Sequence, residues 1–369
     1  MKILVTGSNG FIGKNLCTYF NEKKDIELLC FAHNDNISQL DQYIKAADFV
    51  IHLAGVNRPT LETEFKSGNI DFTKGLCLAL QKNDRKLPVI FASSTQASVE
   101  NKYGVSKKET EDVLIDYSNI TGADVFIFRL PNVFGKWAKP NYNSVVATFC
   151  HNISRNLPIK IIDADASLTL VYIDDVIMQF EYIINGGKTD NRFVSLPIQY
   201  RLTVGRLAEK LYQFHTDRNN MIIDKVGDGF ERALYATYIS YLLPADFSYR
   251  IPGHNDERGS FVEMLKTKNS GQISFFTAEA GVTRGGHYHH TKTEKFLVVK
   301  GKAAFRFRNI ATDQYFEIQT NSDHPEIVET VPGWAHDITN TGDETMIVML
   351  WANEVFDPLE PDTYNKSLA

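Results

Sequence analysis

The chain has 369 residues, of which 43% are hydrophobic and 23% charged, a composition typical of a globular protein long enough for two domains. The formal net charge of −6 and the lack of a basic run argue against nucleic acid as a partner. No apolar stretch approaches the about 18 residues that a membrane span needs, and the first strand-like run starts at Lys2, which leaves no room for a signal peptide. We therefore expect a cytoplasmic protein without membrane insertion.

The first part of the chain alternates apolar runs with polar stretches of helical spacing. Helical spacing is clearest in Ile12–Phe20 and Lys107–Tyr117. This alternation predicts a doubly wound parallel sheet with helices on both faces, in an α/β domain. The apolar runs of strand length cover residues 3–5, 26–31, 49–54, 89–93 and 125–130.

From about Ser248 the pattern changes to short alternating segments separated by turn residues, as in 302–309 and 345–352. Such segments are typical of an all-β sandwich or small barrel. The preceding helical stretch, Phe230–Leu243, is expected to end at Pro244. The sequence therefore predicts an α/β domain over residues 1–244 and a β domain over residues 245–369.

The cysteines all fall in the first half of the chain and form no CxxC pair. They are expected to be buried free thiols of a reducing compartment, with no disulfide framework. The four are Cys17, Cys30, Cys77 and Cys150.

The segment Thr6–Gly13 reads TGSNGFIG and lies between the first strand and the first helix. Gly7 would give the tight turn, Gly10 the close approach of a pyrophosphate and Gly13 the close packing of the helix. The pyrophosphate would rest on the helix N-terminus. The sequence thus predicts a dinucleotide site. Its other expected contacts are Asn9, Phe11, Ile12, His33, Leu53, Ala54, Tyr103, Lys107 and Pro131.

Further motifs over residues 1–243 resemble the extended short-chain dehydrogenase/reductases. The resemblance implies a Rossmann-like domain in which Ser94, Tyr103 and Lys107 are catalytic and Asn132 contacts substrate. The motifs are the strand signature Asp48–Gly55, the structural asparagine Asn69, the YxxxK segment Tyr103–Lys107, the substrate-loop motif Arg129–Gly135 and the later motif Val171–Val176.

Ketone reduction explains why these residue types occur together. A proton must reach the oxygen while hydride reaches carbon, and Tyr103 can deliver it only if its pKa falls from about 10 toward neutrality. Lys107, one helical turn on and on the same face, would supply the positive charge that lowers this pKa. Ser94 would hydrogen-bond the carbonyl. In the alternative interpretation, Tyr103 is a surface aromatic residue and Ser94 a helix cap.

Three positions bear on the coenzyme, on the type of reaction and on the nucleotide of the substrate. No acid precedes Asp35 at the end of the second strand, so an NADPH 2′-phosphate is favoured over NADH. Thr95-Gln96 stands where the similar sugar-nucleotide 4,6-dehydratases carry an Asp-Glu pair, so dehydration is not expected. Leu168–Leu170 replaces the arginine of many UDP-sugar relatives, which leaves the nucleotide open.

Metal-type residues gather in the second half. His287 and His289 are two residues apart, so in a strand they share a face, and Glu294 opens the next strand. With His336, the set predicts a site for zinc or another divalent metal. Alternatively, the histidines are satisfied core residues.

These spacings resemble the cupin family, through the motif GX5HXHX4EX6G from Gly281 to Gly301 and a second motif from Pro332 to Asn340. The resemblance implies an all-β cupin barrel with His287, His289, Glu294 and His336 as metal ligands.

A second resemblance joins Asp256–Glu263 and Gly281–Tyr288 to dTDP-4-keto-rhamnose 3,5-epimerases, which generally lack metal. It implies that Arg258, Glu263 and Arg284 face the substrate and that His287 is the base. His287 therefore has two competing roles, and we favour ligand. The base would then be His290, Tyr288 or Lys295.

Together the two halves resemble the CapF-type bifunctional epimerase–reductases of UDP-N-acetyl-L-fucosamine synthesis. The resemblance implies C3 epimerisation of a UDP-2-acetamido-2,6-dideoxy-4-hexulose in the cupin. NADPH reduction at C4 would then give UDP-2-acetamido-2,6-dideoxy-L-talose for capsular polysaccharide synthesis. A homodimer is expected because cupins usually pair.

One alternative is a single-activity 4-keto sugar-nucleotide reductase whose cupin is structural or dimerising. Another is a redox sensor, which intact Tyr103 and Lys107 argue against.

Overall fold

The computed structural model describes residues 1–32, 35–189, 191–359 and 361–368. The chain divides into two compact units, which we call the N-terminal unit (1–212 and 227–243) and the C-terminal unit (213–226 and 244–369). The domain boundary after residue 244 stays a prediction.

The first two thirds of the chain mix strands and helices. In chain order, the elements are β1 (Lys2–Thr6), α1 (Phe11–Asn21), β2 (Glu27–Phe31), α2 (Ile37–Ala46), β3 (Phe49–His52), α3 (Thr63–Phe65), α4 (Phe72–Lys82), β4 (Val89–Ser94), α5 (Lys102–Thr121), β5 (Val125–Leu130), β6 (Asn132–Phe134), α6 (Val145–Ile153), β7 (Ser167–Tyr172), α7 (Ile173–Ile184), β8 (Tyr200–Thr203), α8 (Val204–Asn219), β9 (Ile222–Ile223) and α9 (Gly229–Ile239).

The N-terminal unit is built on a parallel sheet in the order β2-β1-β3-β4-β5. Alternate residues of β1 enter different cores: Ile3 and Val5 pack with residues of α1 and α7, and Leu4 packs with residues of α2, α4 and α5. Helices therefore cover both faces, and the predicted doubly wound fold is confirmed. The order reverses between β1 and β3, where such sheets bind ligands at the strands' carboxyl ends.

The expected end of the last helix was wrong. α9 stops at Ile239 and does not continue to Pro244. Tyr241 N donates to Tyr238 O at 3.0 Å and Leu242 N donates to Ile239 O at 3.1 Å, so bonds to the third preceding residue replace the helical pattern before the proline is reached. Throughout the described part of the chain, no helix combines the length and apolar character that crossing a bilayer requires.

The C-terminal unit contains two mostly antiparallel sheets. One has the order β10-β11-β12-β19-β14-β17, with β9 beside β11, and the other has the order β16-β15-β18-β13-β20. The remaining strands are β10 (His254–Asp256), β11 (Gly259–Thr267), β12 (Gln272–Ala278), β13 (Thr283–Tyr288), β14 (Glu294–Lys300), β15 (Lys302–Asn309), β16 (Tyr315–Asn321), β17 (Ile327–Glu329), β18 (Trp334–Asn340), β19 (Met346–Ala352) and β20 (Tyr364–Asn365).

Alternation along these strands builds one core from both sheets. Phe276, Phe296 and Val348 come from the first sheet, and Phe305 and Ile338 come from the second. Along β12 and β19, buried residues alternate with more exposed ones, as the period of two requires. The predicted all-β, cupin-like domain is confirmed.

Candidate functional site

The glycine-rich loop leaves the end of β1 and enters α1 through close backbone contacts. Gly7 has φ +73°, and its N–H donates to Phe31 O at 2.9 Å. A Cβ on Gly7 would lie 2.6 Å from Ala54 N, and one on Gly13 would lie 2.6 Å from Ser8 O. No other residue type fits at Gly7 or Gly13 without displacing the backbone of the loop.

The start of α1 offers donors to an anion. Gly10 is the N-cap residue, and no side chain in the described part of the chain caps the helix. The amides of the first turn, which includes Phe11 and Ile12, therefore lack the side-chain acceptor that most helices provide. Asn9 is exposed beside them. This arrangement suits the pyrophosphate of a dinucleotide.

Other predicted coenzyme residues lie at the same edge of the sheet. Leu53 follows β3, and its N–H donates to Thr6 O at 3.1 Å, while Ala54 N lies 3.4 Å from Thr6 Oγ1. Pro131 follows β5. The remaining expected contact, His33, lies outside the described residues.

The structure brings the predicted catalytic residues together. Ser94 ends β4, and its side chain is hydrogen-bonded to Tyr103 on α5. Ser94 Oγ also accepts from Gln96 N at 3.1 Å, so it caps a short turn as well. Asn101 caps α5 by accepting from Gly104 N at 2.8 Å, which places Tyr103 in the first helical turn.

Lys107, one turn further along α5, is 6% exposed. Its Nζ donates to Ala92 O at 2.8 Å and lies 4.2 Å from the centre of the Phe91 ring. Burial lowers the pKa of Lys107 to about 7. Burial also raises the pKa of Tyr103, against a lowering by its hydrogen bond with Ser94. Burial and Ser94 are the causes of the Tyr103 shift, so the lowering of this pKa by Lys107 stays a prediction.

Asn69 ties the neighbouring loop to α5. It lies in a π-helical turn over Lys66–Asp71, a feature frequent at functional sites. Its Oδ1 accepts from Val56 N at 2.6 Å, and its Nδ2 donates to Val56 O at 3.0 Å and to Ser106 Oγ at 2.9 Å. The asparagine thus positions the loop beside Lys107.

In the C-terminal unit, two predicted substrate residues share one carboxylate. Arg258 Nη2 bonds to Asp256 at 2.5 Å, and Arg284 Nη2 lies 3.9 Å from the same carboxyl group. Arg284 Nε donates to Thr277 O at 3.0 Å, and the guanidinium lies over the Phe276 ring. Arg284 Nη2 is buried and makes no hydrogen bond within the described chain, so it can still donate to a ligand.

The other two predicted substrate residues make separate local contacts. Glu263 on β11 forms an ion pair with Lys266 at 2.9 Å. Asn132 on β6, in the N-terminal unit, is exposed and donates to Thr169 O at 3.4 Å. Their roles in substrate binding stay predictions.

The four predicted metal ligands form one cluster. His287 lies on β13, His289 just after it, Glu294 at the start of β14 and His336 on β18. One potential ligand atom from each lies within 4.8 Å of the others. The ring centres of His287 and His336 are 4.7 Å apart. Only His287 among the four is half-buried, and the others are buried.

A β-bulge aims His287 into this cluster. Gly285 pairs with Asp337, but the next pair is His287 with His336, so β13 carries one extra residue. That residue, Gly286, has φ +81°, which glycine adopts without strain. The bulge brings His287 directly opposite His336.

The charges of the cluster suit a divalent metal. Burial raises the pKa of Glu294, but hydrogen bonds to His289 and His336 outweigh it and hold that pKa below its usual range. Burial, followed by the charges of His336 and His289, lowers the pKa of His287 to about 4, so this imidazole is neutral. His336 Nδ1 is buried and has no hydrogen-bond partner among the described residues. Neutral imidazoles and a carboxylate are the ligands that zinc binds, so the residues fit this metal.

Sequence reasoning missed the group that supports these ligands. His289 Nδ1 hydrogen-bonds to the main-chain oxygen of Asp362. The Asp362 carboxylate accepts backbone N–H groups of His290 at 2.9 Å, Thr291 at 2.7 Å and Lys292 at 2.8 Å. Such support orients a metal ligand. No local pattern could reveal it, because the partners lie about seventy residues apart along the chain.

The candidate bases do not share one environment. Lys295 alternates with Glu294 on β14, is exposed and pairs with Glu329, which argues against it. Tyr288 and His290 pack against Tyr364 with ring centres 5.4 and 4.8 Å away. A buried lysine that sequence reasoning did not consider, Lys292, acts electrostatically on His287. The sequence offered one signal for this residue, because a lysine lies between the metal-type residues His289 and Glu294.

A dinucleotide-type loop with a Ser–Tyr–Lys set, joined to a cupin-like unit, defines a short-chain dehydrogenase/reductase with a second, β-sheet domain. Residues 3–194 match the NAD dependent epimerase/dehydratase family, and residues 254–364 match the polysaccharide biosynthesis C-terminal domain. The chain belongs to the NAD dependent epimerase/dehydratase family. Membership indicates a nicotinamide dinucleotide as the coenzyme.

Known proteins resemble the chain over its whole length. It is 55% identical over 364 residues to "UDP-2-acetamido-2,6-beta-L-arabino-hexul-4-ose reductase" of Pseudomonas aeruginosa, covering 99% of this chain and 98% of the relative. The crystal structure of the capsular polysaccharide assembling protein CapF from Staphylococcus aureus matches all of both chains, with a TM-score of 0.93 and 40% identity. The predicted CapF-type resemblance is confirmed. UDP-glucuronic acid 4-epimerase from Bacillus cereus shares the fold alone, with 19% identity and a TM-score of 0.52, over 58% of this chain and 83% of its own.

Proposed function

We propose that the chain is a bifunctional sugar-nucleotide enzyme that makes a capsular polysaccharide precursor. The C-terminal unit epimerises C3 of a UDP-2-acetamido-2,6-dideoxy-4-hexulose. The N-terminal unit then reduces the C4 ketone with NADPH to give UDP-2-acetamido-2,6-dideoxy-L-talose. The observation that carries this proposal is the 55% identity, from end to end, to a reductase named for a UDP-2-acetamido-2,6-hexul-4-ose.

The N-terminal unit has the groups that ketone reduction requires. The coenzyme, when bound, supplies hydride to C4. The Tyr103 hydroxyl gives its proton to the ketone oxygen, and the Ser94 hydroxyl donates a hydrogen bond to that same oxygen. The hydrogen bond between these two side chains supports their action on one atom. Lys107, one helical turn after Tyr103 on α5, would stabilise the remaining tyrosinate when its ammonium is protonated.

The end of β2 supports NADPH as the coenzyme. An NAD enzyme of this fold usually places a carboxylate there for the ribose 2′-hydroxyl. Here the first carboxylate, Asp35, accepts the Ala32 N–H through Oδ2 at 2.7 Å. It is therefore engaged with its own loop.

The C-terminal unit has the groups that C3 epimerisation requires. His287, His289, Glu294 and His336 would hold zinc, which can polarise a ketone and make the hydrogen on the adjacent carbon more acidic. The unbonded Nη2 of Arg284 would donate to an anionic part of the substrate. With His287 as a ligand, His290, Tyr288 and the buried Lys292 remain as bases.

A second function has its own support. The Pseudomonas aeruginosa relative is named only as a reductase, so the C-terminal unit of this chain could be a structural or dimerising module. In that case the metal would brace the β domain and take no part in chemistry. Homodimerisation and a cytoplasmic location remain predictions under either function.

Solvent exchange separates the two functions. The keto sugar is incubated with the full chain in D2O without NADPH and followed by NMR, with metal analysis of the same sample. We expect deuterium at C3. Absence of exchange with metal present would favour the single-activity reductase.

Tyr103→Phe tests whether the two sites are separate. Because it removes only the proton donor, NADPH oxidation should fall by about 10²- to 10⁴-fold, while deuterium exchange at C3 continues. NADPH binding, measured by fluorescence, is the control for an intact N-terminal unit. Loss of exchange in this variant would contradict the two-site proposal.

A further inference from the structure

Two cysteines of the N-terminal unit are in contact. Cys17 lies on α1 and Cys30 on β2, with their sulfur atoms 3.6 Å apart. Cys30 is exposed and Cys17 half-buried, so the expectation that all four cysteines are buried was wrong for this pair. The other two, Cys77 and Cys150, are buried and serve as internal references.

The pair lies against the glycine-rich loop. The Ser8 side chain, in the loop, is one of the groups that lower the pKa of Cys30. The residue after Cys30, Phe31, accepts the Gly7 N–H at 2.9 Å. The loop leads directly into α1, which carries Cys17. It is also hydrogen-bonded to β2, which carries Cys30.

The pair has the reactivity of a nucleophile and its resolving partner. The hydrogen bond with Cys17 lowers the pKa of Cys30 to about 7, assisted by Ser8 and opposed by burial and the charge of Asp35. The same contact raises the pKa of Cys17. Exposed thiolates with an adjacent thiol are the cysteines that oxidise reversibly.

We propose that Cys17 and Cys30 form a reversible disulfide that lowers the affinity of the glycine-rich loop for its dinucleotide. The disulfide follows from the contact itself, and its effect on binding rests on the proposed NADPH site. An S–S bond is about 2.05 Å long, so the sulfur atoms must approach by about 1.5 Å. We expect this approach to pull on β2 next to Phe31, whose carbonyl oxygen accepts the Gly7 N–H.

Hydrogen peroxide serves as the oxidant. The Cys30 thiolate attacks one peroxide oxygen, the O–O bond breaks, and hydroxide leaves, which gives a sulfenic acid on Cys30. The Cys17 sulfur then attacks the Cys30 sulfur, the S–O bond breaks, and water leaves with the Cys17 proton. The two thiols lose two electrons, and peroxide is reduced to two molecules of water. A dithiol reverses the step by exchange.

Peptide mass spectrometry of the peroxide-treated full chain tests the disulfide. We expect a Cys17–Cys30 linked peptide, with Cys77 and Cys150 recovered as thiols. Cys17→Ser should give instead a sulfenic acid on Cys30 that dimedone traps. Absence of the linked peptide, or oxidation of Cys30 no faster than Cys77, would overturn the assignment.

NADPH titration tests the effect on binding. Oxidation should raise the Kd by about tenfold, and dithiothreitol should restore it. Cys17→Ser should lose this response to peroxide, and Cys77→Ser should keep it. An unchanged Kd in the verified disulfide form would overturn the regulatory step. If the reduced protein bound no NADPH, the coenzyme proposal would fail, and the mass spectrum would still decide the disulfide.

Discussion

At the scale of single residues, Lys107 shows how burial and charge compete. Its ammonium group donates a hydrogen bond to Ala92 O and lies over the face of the Phe91 ring. The carboxylate of Glu111 favours the charged form, but burial is the larger effect and lowers the pKa to about 7. The fold therefore carries a lysine that is only partly charged at neutral pH.

This shift predicts a pH-dependent stability. Between about 7 and the ordinary value of 10.5, the unfolded chain binds a proton at Lys107 that the folded chain does not. Stability should therefore rise with pH across this window, by up to about 1.4 kcal/mol per pH unit, and the penalty should be full below pH 7. Urea unfolding between pH 6.5 and 9.5 measures it.

Lys107→Met should flatten this part of the profile, because the titrating group is gone. Lys108→Met, which changes an exposed neighbour on the same helix, should leave the slope unchanged. Equal slopes for Lys107→Met and the natural chain would show that another group is responsible.

At the scale of secondary-structure elements, the packing of α1 on the glycine-rich loop requires glycine, which has no side chain. A Cβ on Gly13 would meet Ser8 O at 2.6 Å, which forces a shift of backbone. Gly75, inside α4, would meet nothing within 4 Å. The same substitution at these two helical glycines should therefore have opposite effects.

Gly13→Ala should destabilise the N-terminal unit by about 1–3 kcal/mol through overpacking and weaken NADPH binding. Gly75→Ala should stabilise it by about 0.5–1 kcal/mol, because alanine favours a helix over glycine. Urea unfolding and NADPH titration of both variants provide the measurement. A Gly13→Ala chain that bound NADPH as tightly as the natural chain would contradict the proposed loop.

The cluster of four metal-type residues joins β13, β14 and β18. His336→Ala removes one of the proposed ligands, so we expect the variant to lose bound zinc and to unfold its C-terminal unit at a lower temperature. NADPH binding should be unchanged. His324→Ala, at an exposed histidine of the same unit, should retain the metal. Full zinc content in purified His336→Ala would disprove the ligand assignment.

The elements that sequence reasoning predicted are those with local signals. The two-residue spacing of His287 and His289 predicted that they lie together, as they do in the cluster, and the glycine spacing located the turn before α1. The bulge at Gly286 had no such signal, because it depends on which residue of β18 faces His287. The hydrogen bonds from Asp362 likewise join segments that are far apart along the chain.

At the scale of the whole molecule, the division into units also depends on contacts between segments that are far apart along the chain. Residues 213–226 join the C-terminal unit because β9 pairs in parallel with β11, at Ile222 with Lys266. Composition and turn residues could not predict this pairing across the chain. In contrast, the residues predicted for each proposed reaction lie within one unit: Ser94, Tyr103 and Lys107 in the first, and the four metal-type residues in the second.

Because each predicted set lies within one unit, the two proposed reactions should be able to proceed on separate chains. Tyr103→Phe retains the epimerising site, and His336→Ala retains the reducing site. With the unepimerised keto sugar and NADPH, each variant alone should oxidise NADPH at no more than about a hundredth of the natural rate. An equimolar mixture should restore oxidation, since the epimerised ketone can leave one chain and bind another. Absorbance of NADPH measures the rate. A mixture as inactive as its components would mean that both sites must act within one chain.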